Sequence, residues 1–151
     1  PNVREFLTYF LPRKVMAGDS FLRAAASVTG KLVAWLEAKG WAEPELAADL
    51  TDDARTAARN LPRAQKLARD LYRWIGDNVE PVDRADEDRF AVTRILGDRI
   101  WLRGSMDGAY GPIRLPEEYV RQLAVGWTIS GAVARRGRAC RLVEVWSVEA
   151  P

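Results

Sequence analysis

Near residue 76 the spacing of apolar residues changes from the helical repeat to strand alternation, with a strongly acidic stretch between the two patterns. That switch predicts an α+β chain, helices first and strands after, over 151 residues. The predicted organisation is a helical domain over 1–76, an acidic linker over 77–88 and a small β-barrel domain over 89–151.

Good helix formers dominate the first part, where 14 of the 22 alanines lie. Val3, Phe6, Leu7 and Phe10 keep helical spacing before Pro12. The clearest helix carries the stripe Phe21, Ala25, Val28, Leu32, Trp35 and Leu36, with Asp19 or Ser20 as N-cap and Gly40 as a left-handed stop. A short helix over Pro44 to Leu50 and another capped by Thr51 or Asp52 and running to Asn60 are expected next. A last one has Pro62 in its first turn, then Ala64, Leu67, Ala68, Leu71 and Ile75, and Gly76 as its end.

The segment Asp77 to Asp88 holds six acids against Arg84, a net of −5, with Pro81 in the middle. It reads as a linker or exposed lip, one that folds over the basic barrel and screens it. Strands are predicted over Phe90 to Leu96 and Arg99 to Arg103, joined at Gly97-Asp98. A loop from Gly104 to Pro112, a short extended piece over Ile113 to Leu115 and a helical turn opened by Pro116 come next. Two long strands, Gly126 to Arg135 and Ala139 to Val148, meet at an Arg136-Gly137-Arg138 turn. Five short strands in this length suit a strongly bent barrel of the SH3-like or OB-like kind.

The chain has no histidine, so imidazole catalysis and histidine metal sites are excluded. Cys140 is its one cysteine, which forbids an internal disulfide or a multi-cysteine metal site and suits a reducing cytoplasm. The uncharged run Gln122 to Ala134, 13 residues, is too short to span a bilayer. No secretory leader is recognisable, and Pro1 in place of Met points to a piece of a larger bacterial protein. No cofactor or metal is expected: the acids Asp83, Asp86, Glu87 and Asp88 lack the spacing of a calcium loop, and the glycines of the 104–112 loop lack a phosphate-loop ending.

Local charge is more informative than the total of +2. Residues 89–143 hold ten arginines, no lysine and four acids, a net of +6. Arginine forks pair with phosphate or carboxylate and stack on rings, which suits nucleic acid or an acidic protein face. A GC-rich genome would also write Arg in place of Lys. Alternation puts Arg99, Trp101 and Arg103 on one face of their strand, a ring to stack a base and guanidiniums to hold phosphates. The structural alternative is a half-buried ring beneath charged stems. Arg135, Arg136 and Arg138 at the last turn complete the candidate set. Trp35, Trp127 and Trp146 sit in apolar patterns and are expected in the core, with Trp41 and Trp74 near helix ends.

The run Arg4 to Phe10, with Phe21-Leu-Arg-Ala and Leu32-Val-Ala-Trp-Leu-Glu-Ala-Lys-Gly40, resembles the SAM-like core-binding domain of tyrosine recombinases over about residues 3–76. The resemblance implies a DNA-contacting helical bundle. Strand cleavage is not implied, because that family's catalytic set needs a histidine. Ile113-Arg-Leu-Pro and Val125-Gly-Trp-Thr-Ile-Ser-Gly are similar in general pattern to small SH3-like or OB-like barrels. Together these features predict a non-catalytic, cytoplasmic binding module for DNA or RNA. The alternative is a protein interaction or assembly domain, with a protein partner or a second copy at the barrel's open edge and no nucleic-acid role.

Overall fold

The computed structural model describes residues 19–137 and 139–150, apart from the side chains of Asp19, Leu22, Arg23 and Ala26. The helix expected over residues 3–10 and the candidate Arg138 lie outside the described residues. Packing divides the chain into two compact units, Pro1–Arg63 and Ala64–Pro151.

In the first unit, helix α1 runs Asp19–Ala38 and stops as its sequence predicts. Gly40 takes φ +71°, its amide donates to the Glu37 carbonyl, and the Trp41 amide donates to that of Leu36. Most of the expected stripe is not buried. Phe21, Val28, Leu32 and Trp35 are all about half exposed or more, Trp35 at 47%, whereas Val33 is buried and Ala25, Thr29 and Leu36 are partly covered. Trp35 is thus not in the core and meets Trp41 edge-on, centroids 5.3 Å apart.

The three helices expected after Gly40 are one helix, α2, Pro44–Asn78. Ala47 is buried, and from Ala54 through Ala57, Leu61, Ala64, Leu67 and Leu71 to Ile75 buried residues recur at three- and four-residue spacing, so the stripe continues without a break across Pro62. Burying that stripe offsets the roughly 3 kcal/mol that an interior proline costs a helix. Gly76 does not end the helix, and Asn78 donates its side-chain amide to the Trp74 carbonyl at the last turn. The division between units falls inside α2, directly after Arg63, so its Ala64–Asn78 segment belongs with the strands.

The second unit adds β1 (Asp86–Leu96), β2 (Arg99–Arg103), β3 (Ala109–Arg114), the short helix α3 (Glu117–Val120), β4 (Thr128–Arg136) and β5 (Ala139–Glu149). All neighbours are antiparallel, in the order β3-β2-β1-β4-β5. The protein is therefore α+β with five strands, but the barrel is not closed, because edge strands β3 and β5 approach without pairing. Gly97 and Gly137, both at φ near +60°, make the two predicted hairpin turns.

Two boundaries differ from expectation. The acids Asp86, Glu87 and Asp88 are the start of β1, held by pairing with Val133, Ala132 and Gly131 of β4. Ala109–Pro112 is strand, not loop, because it pairs with β2. Phe90, Ile100, Ile113, Ile129 and Leu142 form one core with Leu67, Leu71 and Ile75 of α2. Trp127 is buried in it at 4% exposure, whereas Trp146 is 53% exposed on β5, against expectation, with its indole N–H on Glu144.

Candidate nucleic-acid interface

Strand β2 alternates as its sequence predicts, with Ile100 and Leu102 fully buried and Arg99, Trp101 and Arg103 on the outer face. Two further arginines join them through the register. Arg114 of β3 is the direct partner of Arg99. Arg94 of β1 is the partner of Trp101. From Phe90 and Val92, both buried, strict alternation would turn Arg94 inward; the bulge between Val92 and Arg94 inserts Thr93 and puts Arg94 outside. The Thr93 hydroxyl donates to the Trp101 carbonyl there, at 3.2 Å.

Trp101 is half-buried, and its surroundings are specific. The Arg94 guanidinium lies over the ring, 4.7 Å from its centroid. The pyrrole end of the ring rests on Gly111: a Cβ there would stand 2.7 Å from Cδ1 and 3.0 Å from Cγ. One acid lies among these groups. Asp98, in the β1–β2 turn, has its carboxylate 2.9 Å from Arg114 Nε and 3.6 Å from Arg99 Nε. These pairs are exposed, so solvent screens them. Arg103 has no ion pair among the described residues.

The other end of the candidate set meets this face at Ala109. Arg103 is the cross-strand partner of Ala109, and Arg135 donates to the Ala109 carbonyl at 3.0 Å. Arg135 is engaged in the fold: its guanidinium lies 4.1 Å from the Tyr110 centroid and its Nε 3.7 Å from Asp86, which also accepts the Tyr110 hydroxyl at 3.0 Å. Arg136 is exposed at the hairpin tip. The Asp86–Tyr110–Arg135 group is not legible in the sequence, whose pattern puts Tyr110 in the loop expected from Gly104 to Pro112.

The acidic stretch is divided rather than folded over the arginines as one lip. Asp86 faces Arg135, and Asp88 holds the 104–108 turn by accepting the Ser105 amide and hydroxyl, each at 2.7 Å, and the Arg89 amide. The Ser105 hydroxyl, together with these amides, holds the Asp88 carboxyl below its ordinary range. The remaining acids rim a cleft of about 1280 Å³ between the end of α2, the 79–85 loop and the β4–β5 hairpin, whose floor includes Ile75, Val133 and Val145. Among the described residues no group of three or more acids and cysteines is placed to hold a metal ion. No described helix is long and apolar enough to cross a membrane.

Comparison with protein-family models, with curated proteins and with solved structures found no match to any of them.

Proposed function

We propose that the chain is a non-catalytic, cytoplasmic binding module that grips nucleic acid through the arginine face of β1, β2 and β3, without a cofactor. The observation that carries this reading is the placement of Arg94, Arg99, Arg103 and Arg114 on one sheet face with Asp98 among them. Surface guanidiniums at neighbouring positions repel one another, and phosphates replace that repulsion with charge-assisted bonds. The bent, open five-strand sheet is read as an SH3-like or OB-like barrel, and the helical part as a SAM-like bundle of the recombinase type, both architectures that suit DNA contact. Titration of labelled oligonucleotides at low and moderate salt tests it. Saturable binding that weakens with salt, and that the combined Arg99→Gln and Arg114→Gln changes reduce, is the expected result; no binding at low salt overturns it.

A second reading, a protein interaction domain, draws on Trp146, half exposed on edge strand β5. Concentration-dependent self-association lost in Trp146→Ser, without oligonucleotide binding, would favour it.

A further inference from the structure

We infer that the arginine face takes double-stranded nucleic acid, holding the phosphate backbones of a duplex without stacking a base on Trp101. This rests on the nucleic-acid reading above and goes beyond it by choosing the form of the ligand. Binders of single strands gain much of their affinity from bases laid on open aromatic faces. Here the ring is half-buried, its pyrrole end is seated on Gly111, and Arg94 already occupies a stacking face at 4.7 Å. On that face a base would have to displace the Arg94 guanidinium, losing one favourable contact to gain another.

What the face offers outward is mainly charge. Arg99 and Arg103 are four residues apart on β2, so their Cα atoms stand about 13 Å apart along the strand. Arg94 and Arg114 widen the field to the strands on either side, at roughly 5 Å per strand spacing. Along about 13 Å of its axis a duplex presents about eight phosphates, against about four on one strand at the same rise. A face that recognises charge without stacking favours the denser array.

The test uses the full chain with a labelled DNA duplex of about 20 base pairs and with each of its strands, between about 50 and 200 mM salt. The expected result is duplex binding about tenfold tighter than either strand and insensitive to sequence. Its log–log salt slope should lie near −3 to −4, from about 0.9 per phosphate for up to four guanidiniums. Trp101→Leu should bind the duplex within about twofold of the parent, since no base uses the ring, with its thermal melt confirming the fold. Arg103→Gln with Arg114→Gln should flatten the slope by about two.

Strands bound as tightly as the duplex, or a tenfold loss in a folded Trp101→Leu protein, would overturn the duplex assignment and leave the nucleic-acid reading standing. Absence of binding to both probes at the lowest salt would remove the two together.

Discussion

At Gly131 a side chain has no room. A Cβ built there would fall inside the contact radius of the Glu144 carbonyl oxygen and lie 2.9 Å from its carbon, because bulges in the β4–β5 ladder draw the two backbones together at this point. Gly131→Ala must therefore separate β4 from β5, and a loss of about 3 kcal/mol or more is expected in urea unfolding. Gly30, inside α1 with nothing within 4 Å of its would-be Cβ, supplies the contrast. Gly30→Ala should stabilise by about 0.5–1 kcal/mol through helix propensity. Asp88 makes a separate prediction. Its carboxyl is held below the ordinary range, first by the Ser105 hydroxyl, so its contribution is present above the unfolded value of about 3.9 and is lost as pH falls through the lower folded value. In Ser105→Ala the Asp88 pKa should rise toward ordinary, seen directly by NMR titration, and acid unfolding should begin at higher pH. None of these positions stands out in the sequence, since each depends on a neighbour distant along the chain. The tryptophans show the same limit: spacing placed Trp35 and Trp146 in apolar patterns, but which side of a helix or strand faces inward is decided by what packs on it.

Elements were legible where local chemistry and packing agree, and misread where packing overrides a local signal. Helix α1 ends at Gly40 because the left-handed turn is written in the residue itself. Thr51, Asp52 and Asn60 carry the chemistry of caps, yet α2 passes through all of them, since the buried stripe from Ala47 to Ile75 keeps its period. Pro62 lies in the interior of that helix. Its ring removes the amide that would bond the Ala58 carbonyl, so Pro62→Ala should raise helicity and stabilise the helix by about 1–2 kcal/mol, the lost packing of a buried ring offsetting part of the propensity gain. Thermal melts followed by far-ultraviolet circular dichroism would show it, and a lower melting point would mean that the buried ring contributes more than the missing hydrogen bond costs. Strand β1 begins earlier than its composition suggests, because pairing with β4 gives three poor strand formers a ladder. The candidate face was half legible for the same reason. Period-two alternation sufficed for Arg99, Trp101 and Arg103, whereas Arg94 and Arg114 reach the face through register, and Arg94 only through the bulge at Thr93.

For the whole molecule, the boundary written in composition and the boundary drawn by packing are different. Apolar spacing changes near residue 76, where the acidic stretch begins, but the core of the sheet takes Ala64, Leu67, Leu71 and Ile75 from the end of α2. Leu67 and Leu71 have no exposed surface and Ile75 has 6%. At about 1.5–3 kcal/mol for each large side chain, removing these three costs roughly 5–9 kcal/mol, as much as the whole stability of many domains. A fragment covering 77–151, cut where the composition changes, should therefore bind a hydrophobic dye and unfold without a cooperative transition. A fragment covering 64–151 keeps its helix segment and should melt cooperatively with a native strand signal. If the shorter fragment folds as well as the longer one, the helix is only a cover on a self-sufficient sheet. If neither folds, the sheet needs the part of α2 before Ala64, and the arginine face depends on the helical half for its support as well as for its place in the chain.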